Sequence, residues 1–340
     1  MPTKLARKAG LKIQYNNKDI SADLAPFLKS FSYNDVLSGE ADDLSITLED
    51  RQGLWKNDWL PDKGAILICS IITQSWWQDN DNEEELPLGI FEVDEIELSG
   101  SPEEVKIKAV SVPDNKELRG VEKTRSWEKT KLSVIAKDIA NGANMQLFYD
   151  TKEDPKLGRS EQTQQSDLSF LMKLCKDAGL ALKIANNQII IFDEEKYEQQ
   201  EPVATITKGE DLIKSYSIKS STREVYAACH VKYQKGKSKQ KIEYIFKLPD
   251  KEGKTLQVNQ QVETVAEAEK LAKKKLREKN KEEITLALTL VGAFYLAAGN
   301  TYNIKNFGKF DGKYICTKAS HNVGSGYAIN MDLRRCLNGY

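Results

Sequence analysis

Histidine is nearly absent from this sequence, which contains only His230 and His321 among its 340 residues. Both lie in segments that alternate in the manner of β-strands, far apart in the chain. A histidine zinc site or a Ser-His-Asp triad would have to use one of them. The nucleotide, hydrolase and metalloprotease motifs GxGxxG, GxxxxGK[ST], GxSxG and HExxH are missing as well. We therefore predict structural histidines and no catalytic, cofactor or metal site.

Cysteine is also scarce, and long apolar runs are missing. The five cysteines are odd in number, widely spaced and without a CxxC pair. This excludes a disulfide framework and predicts reduced, buried thiols. The longest apolar stretch, Ile284 to Ala298, is broken by threonine and glycine and is too short to span a bilayer. The first residues lack the apolar core of a signal peptide, so we expect cytoplasmic synthesis and no membrane insertion.

The sequence also has no excess of positive or negative charge. Lysine plus arginine number 50 and aspartate plus glutamate 51, which gives a net charge of −1. This balance excludes a strongly cationic nucleic-acid binder at the level of the whole chain, although local patches stay open. Hydrophobic residues at 40% and charged residues at 30% are typical of a globular protein. The length predicts two or three domains.

Residues 1–112 have the strand pattern of a first small β-barrel or sandwich. A turn at Asn16-Asn17 follows a short strand, and Leu44–Leu48 alternates with a period of two. Leu88–Leu98 alternates apolar with acidic residues, whereas Val105–Val110 alternates apolar with basic ones. We expect these two strands to pair acid against base across their polar sides.

An acidic segment lies between two of these strands. Residues 76–85 contain five acids and no base. A solvated hairpin loop is one interpretation. The other is a loop that faces a channel or a partner, where its negative charge has a role. The acidic residues are Asp79, Asp81, Glu83, Glu84 and Glu85.

Residues 113–198 predict a mixed α/β insert with two helices. The first helix is expected to start at an N-cap on Thr130 and to end near Gly142. The second is expected to start at Ser166-Asp167 and to stop at Gly179. Two short strands follow, joined by a hairpin turn at Asn186-Asn187.

Strands return in residues 199–340, which predict a second β-barrel with one basic helix near residues 264–281. Thr264 is the expected N-cap, and Lys273–Lys275, Arg277, Lys279 and Lys281 are expected on the outside. This side is either a solvated face or a nucleic-acid patch. It has no aromatic residue on which bases would stack. The predicted fold class is thus mainly β, with two similar β-domains flanking the α/β insert, an arrangement that suggests duplication.

Several segments, spread over residues 90–336, resemble the phage late control protein D family of tail hubs. This family includes the PBSX-type hub, the T4-like baseplate hub and the VgrG N-terminal region. The segments that carry the resemblance are Val110–Gly120, Ser126–Leu132, Gln165–Leu171, Ala178–Leu180, Ser220–Tyr226, Leu296–Thr301, Asp311–Tyr314, Ala319–His321 and Gly326-Tyr327.

The resemblance implies a structural protein of a virion or phage-like tail rather than an enzyme. Its two tube-like barrels would fill successive positions of a ring, so that a homotrimer makes a pseudo-sixfold adapter with a central channel. The implied partners are the tail tube protein, the central spike protein, and the tape-measure and baseplate wedge proteins, with DNA only as passing cargo. Two alternatives stay open from the residues: a tail-associated cell-wall hydrolase, and a nucleic-acid-binding module at the basic helix.

Overall fold

The computed structural model describes residues 6–77, 82–111, 116–210, 213–234, 241–249 and 251–340. The fold is mainly β, as the sequence predicts. The chain divides into two compact units. Unit 1 consists of Met1–Asp193, Thr289–Ala298 and Thr317–Met331, and unit 2 of Glu194–Leu288, Gly299–Cys316 and Asp332–Tyr340.

The strands and helices up to residue 193 all belong to unit 1. They are β1 Lys8–Tyr15, β2 Lys18–Asp19, α1 Ser21–Leu24, β3 Leu28–Val36, β4 Asp43–Glu49, β5 Ile66–Gln74, β6 Glu84–Ser99, β7 Glu104–Val110, β8 Glu122–Lys131, α2 Leu132–Gly142, β9 Gln146–Asp150, β10 Lys156–Ser166, α3 Asp167–Ala178, β11 Ala181–Ala185 and β12 Gln188–Phe192.

The remaining elements belong to unit 2, except that β18, β20 and β21 contribute residues to both units. They are α4 Glu194–Glu198, β13 Ala204–Thr207, β14 Ile213–Ser220, β15 Ala228–Gln234, β16 Lys241–Lys247, β17 Thr255–Val258, α5 Val265–Asn280, β18 Ile284–Val291, β19 Thr301–Lys305, β20 Gly312–Val323 and β21 Tyr327–Arg335.

The main sheet of unit 1 runs in the order β20-β3-β4-β7-β6-β5-β1-β2, with antiparallel neighbours. The predicted turn at Asn16-Asn17 is confirmed, because both residues adopt the positive φ values that this tight reversal needs. The predicted acid–base pairing is confirmed too. Glu95 lies opposite Lys108, and the Lys108 Nζ lies 3.0 Å from a Glu95 carboxylate oxygen.

The α/β part of unit 1 packs α2 and α3 against the three-stranded sheet β11-β12-β9. The Ser166 hydroxyl caps α3 by accepting from the Ser169 N–H, and Gly179 ends this helix in the left-handed conformation, as predicted. The predicted N-cap of α2 is wrong by one residue. Thr130 lies inside β8, and Lys131 occupies the N-cap position without capping the helix with its own side chain. The Asp154 carboxylate accepts from the Ser133 N–H at 3.0 Å instead.

The β8–β10 ribbon of unit 1 was not predicted, because its strands are almost entirely polar. Trp127 of β8 stacks on Phe170 of α3, with ring centroids 5.3 Å apart. Arg125 of the same strand donates to the buried Asp167 carboxylate at 2.6 Å. These contacts help to attach the ribbon to the helical core.

In unit 2, α5 packs on the sheet β16-β15-β17 through Ala268, Ala272 and Leu276. Thr264 caps this helix as predicted, since its hydroxyl accepts from the Glu267 N–H. The outward placement of Arg277 is wrong. Its side chain is buried and forms an ion pair with Glu198 at 2.6 Å.

Both histidines lie on strands, as predicted: His230 on β15 and His321 on β20. All five cysteines are free, and four of them are buried, namely Cys69, Cys175, Cys229 and Cys316. Within the described residues, no helix is long and apolar enough to cross a membrane.

Candidate assembly surface

One side of the unit 1 sheet is polar across four neighbouring strands. Ser32 lies opposite Ser45, Ser45 opposite Lys108, and Lys108 opposite Glu95, so these residues share one side of the sheet. The residues between them, such as Phe31 and Ile107, are buried on the other side. We call the first set the polar face: Ser30, Ser32, Asn34, Asp43, Ser45, Thr47, Glu49, Glu92, Glu95, Glu97, Glu104, Lys106 and Lys108.

Hydrogen bonds fix part of the polar face across three strands. The Ser320 hydroxyl on β20 donates to Asn34 Oδ1 on β3 at 2.6 Å. The Asn34 amide then donates to Asp43 Oδ1 on β4 at 2.8 Å. Short side chains held in this way leave little rotamer freedom. The result is a hydrophilic surface with part of its side chains held by hydrogen bonds.

The polar face carries more acid than base. It has six carboxylates and the two lysines of β7, and Lys29 reaches it through an ion pair with Glu104. The aligned backbone of a sheet holds these charges at fixed positions. A surface of this kind repels phosphate groups at short range, within the Debye length.

The acidic segment predicted from the sequence lies partly outside the described residues, since Asp79 and Asp81 are not among them. Glu83 directly precedes β6. In the structure, the predicted loop does not include Glu84 and Glu85. Both belong to β6, where they lie opposite Thr73 and Ile72 of β5. The loop interpretation is therefore wrong for these two residues.

Glu85 is held on the sheet by two neighbouring strands. A hydrogen bond from Ser70 and the ammonium of Lys12, whose Nζ lies 3.1 Å from Glu85 Oε2, lower the pKa of the carboxyl. The group is exposed, so its energetic contribution is small. Its effect is positional: it keeps one negative charge next to β1.

A buried ion cluster lies at the β3 edge of the polar face. The Lys183 Nζ on β11 lies 2.5 Å from Asp35 Oδ1 and 3.1 Å from Asp42 Oδ1, and it donates to the Val36 carbonyl at 2.8 Å. Burial raises the pKa of Asp42, against the opposing effect of Lys183. The cluster joins the α/β part of unit 1 to its main sheet.

Unit 2 has a second buried ion cluster, centred on Arg334 of β21. Arg334 contacts Glu198 at 2.5 Å and Glu194 at 2.7 Å. Arg277 of α5 contacts Glu198, and Lys281 contacts Glu194 at 3.1 Å. Three elements, α4, α5 and β21, are thus joined by charge-assisted contacts.

The basic helix α5 is largely neutralised by neighbouring carboxylates. Lys273 pairs with Glu269 at 3.1 Å and Lys279 with Glu224 at 3.3 Å, in addition to the pairs of Arg277 and Lys281. This arrangement favours a solvated structural helix over a nucleic-acid patch. Among the described residues, no group of three His, Cys, Asp or Glu side chains is arranged to hold a metal ion.

The polar face was not found from the sequence, although a signal was present. Residues 30–34 read Ser-Phe-Ser-Tyr-Asn, an alternation of small polar and aromatic residues. This is the pattern of a strand with one buried side, and it matches β3. The segments predicted as strands match β4, β6 and β7, but β3, which forms one edge of the polar face, was not among them.

A match to a protein-family model covers more than half of this chain. The family model of the phage tail baseplate hub (GPD) matches residues 92–327. The chain belongs to the phage tail baseplate hub family. The resemblance predicted from its sequence is confirmed.

This member of the baseplate hub family is similar to the probable baseplate hub protein of Escherichia phage P2, with 28% identity over 184 residues. The alignment covers 53% of this chain and 44% of the P2 protein, so it spans less than half of that relative.

Solved structures show the same fold at low sequence identity. The 43 kDa tail protein of prophage MuSo2 from Shewanella oneidensis aligns over 97% of this chain and 99% of its own, with a TM-score of 0.73 and 11% identity. The E. coli protein c3393, a component of the type VI secretion system, aligns over 99% of this chain and 79% of its own, with a TM-score of 0.58 and 11% identity.

Proposed function

We propose that this chain is the structural hub of a phage or phage-derived tail baseplate, in which three copies close a ring that joins the tail tube to the central spike. Membership of the baseplate hub family carries this proposal. The fold of the MuSo2 tail protein supports it over nearly the full chain.

The ring would be built from two β-barrel modules in each chain, residues 1–112 and 199–340, with residues 113–198 as the α/β insert. Three copies would then present six similar modules to the tube and a threefold arrangement to the spike. A heterologous contact whose rotation closes gives such a cyclic assembly. Ring closure also covers strand edges that would otherwise pair without control.

We infer that the polar face lines the central channel. Its side chains are hydrophilic, and some are held by hydrogen bonds, as the contacts of Asn34 with Ser320 and Asp43 illustrate. Its excess of carboxylates disfavours adhesion of passing DNA. The segment with Asp79, Asp81 and Glu83–Glu85 extends this acidic surface in the proposal, with Glu85 held in place by Lys12.

The partners proposed for the ring are the tail tube protein on one side and the spike protein on the other, with tape-measure and wedge proteins in contact as well. The likeness to the type VI secretion component c3393 supports this role, because that protein is described as structurally similar to T4 bacteriophage tail proteins. The proposed site of action is the tail of a virion or phage-like particle.

Light scattering tests the ring most simply. The chain of 38.4 kDa is measured alone and after mixing with the tail tube and spike proteins of the same particle. We expect a species with three copies of the chain, alone or with its partners, and no release of fragments from purified peptidoglycan. A chain that stays single with both partners present, or that cleaves peptidoglycan, contradicts the proposal.

A further inference from the structure

A cleft of about 500 Å³ enters the apolar side of the unit 1 sheet, away from the polar face. Its floor consists of buried core residues from five strands: Ile13, Ile46, Leu67, Val93 and Ile107. A volume of this size is typical of pockets that hold a ligand with several apolar groups. The cleft lies entirely within unit 1.

Aromatic residues form one wall of the cleft, on the connection between β4 and β5. Trp55 and Trp59 line it, and Phe27 contacts both in edge-to-face geometry, with all three centroid distances between 5.3 and 5.9 Å. The Asp50 carboxylate accepts from the backbone N–H groups of Trp55 and Lys56 at 2.9 and 3.0 Å. The wall is therefore preformed.

Part of the rim is apolar and exposed to solvent. Trp59 and Leu60 are 41% and 43% exposed, whereas Trp55 below them is buried. Exposed large apolar side chains beside a cleft are typical of a binding surface. The Trp55 indole N–H is buried and has no acceptor among the described residues.

The rim carries more negative than positive charge, which favours a ligand with basic groups. The carboxylates of Asp23, Asp58 and Asp62 line the cleft with a single ammonium, that of Lys18. Within the described part of the chain, none of the three carboxylates has an ion-pair partner closer than 4.0 Å. A basic side chain on the ligand would find unpaired acids beside the apolar floor.

We propose that this cleft binds a segment of a partner protein in which one or two large apolar residues are flanked by lysine or arginine. The apolar residues would enter the cleft against Trp55 and Trp59, and the basic residues would pair with Asp58 and Asp62 at the rim. An extended segment fits better than a compact small molecule, because the exposed parts of Trp59 and Leu60 extend the apolar surface of the cleft to its rim. This inference does not depend on the trimeric ring.

Indole signals in a two-dimensional ¹H–¹⁵N NMR spectrum of the full chain test the proposal. The five tryptophans give one signal each, and those of Trp55 and Trp59 are assigned with Trp55→Phe and Trp59→Phe. The probe is a capped hexapeptide with the order glycine, lysine, leucine, phenylalanine, arginine, glycine. Two control peptides replace its basic residues by glutamate, or its apolar pair by glycine.

We expect the basic apolar peptide to shift both signals in a saturable manner and both control peptides to bind at least tenfold more weakly. The double variant Asp58→Asn, Asp62→Asn should also weaken binding about tenfold, whereas Trp77→Ala, an exposed tryptophan away from the cleft, should leave it unchanged. Unshifted Trp55 and Trp59 signals overturn the proposal. Equal binding of the acidic and basic peptides also overturns it, because the cleft then takes apolar ligands without regard to charge.

Discussion

Arg334 and Glu198 form an ion pair with 2.5 Å between Nη1 and Oε1, and each side chain is only 2% exposed. Glu198 Oε2 also accepts from the Leu337 N–H at 2.9 Å, so this carboxylate anchors the chain end that follows β21. The pair stabilises unit 2 only as part of its cluster, since each ion relies on the others for compensation.

Removal of Arg334 should therefore destabilise unit 2 strongly. Arg334→Met leaves Glu194 and Glu198 buried with fewer cations, and we expect a loss of about 3–5 kcal/mol in the free energy of unfolding. Chemical denaturation followed by circular dichroism measures the loss. Lys273→Met removes a cation from an exposed pair and is the matched control, with an expected change within about 0.5 kcal/mol. Equal losses in the two variants would show that the cluster does not hold the unit together.

Lys183→Met should have an effect that depends on pH. The variant leaves Asp35 and Asp42 without their ammonium, and the pKa of Asp42, already raised by burial, rises further. A folded-state pKa above the unfolded value lowers stability as pH rises through that range. We thus expect a loss of about 3 kcal/mol at pH 7 that shrinks toward pH 4.

Unfolding curves at several pH values, compared with those of Lys108→Met, test this expectation, because Lys108 pairs with Glu95 on the exposed side of the sheet. A loss from Lys183→Met that stays constant between pH 7 and pH 4 would refute the role assigned to the two carboxylates.

His321 should make the fold sensitive to acid. Burial lowers its pKa from 6.5 to about 4, and its Nδ1 lies 2.6 Å from the Tyr327 hydroxyl. Because the folded-state pKa is depressed, the stability that this residue contributes is complete above pH 6.5 and is lost as pH falls toward 4, by about 3 kcal/mol. His321→Gln should flatten the curve in this window relative to the unchanged chain. Parallel pH profiles for the variant and the unchanged chain would argue against this role of His321.

Gly292 should not tolerate a side chain. A Cβ at this position would lie 2.2 to 2.4 Å from three ring atoms of Tyr327. The ring cannot retreat easily, because it is held between His321 and Trp76. We expect Gly292→Ala to lower the free energy of unfolding by about 1–3 kcal/mol. Gly326→Ala, where the added Cβ meets nothing within 4 Å, should be close to neutral. The midpoints of thermal unfolding of Gly292→Ala and Gly326→Ala test this expectation.

The acidic residues that we propose to line a channel should reduce DNA adhesion. In assembled particles, replacement of Asp79, Asp81 and Glu83–Glu85 by the corresponding amides should increase the DNA retained after ejection, and Glu95→Gln with Glu97→Gln on the polar face should act in the same direction. Loss of Glu85 also frees the charge of Lys12. Amides at Asp138 and Asp177, outside the polar face, serve as the control. Retention that is the same in all variants rules out a channel position for these acids.

Local features of the fold were predictable from the sequence. Turns at Asn16-Asn17 and Asn186-Asn187, and caps at Ser166 and Thr264, depend on residues next to each other in the chain. The acid–base pairing of β6 and β7 was also accessible, because the two strands form a hairpin whose polar sides must meet.

Contacts between distant residues were not predictable in the same way. The Trp76 indole donates to the Gly292 carbonyl, and Lys183 reaches Asp35, only because the sheet brings these segments together. Arg277 was placed outside because a helix pattern counts arginine as a surface residue. Its burial requires Glu198, which lies far away in the sequence. The aromatic cleft, likewise, forms from strands and a connection that no single segment describes.

A reconstruction of the assembled tail particle by electron cryomicroscopy tests the central claim most directly. The account predicts three copies of this chain in one ring between the last layer of the tube and the spike, with the polar face of each copy on the channel wall. A ring of six copies, or a chain bound to the outside of the baseplate with its polar face away from the channel, would contradict it.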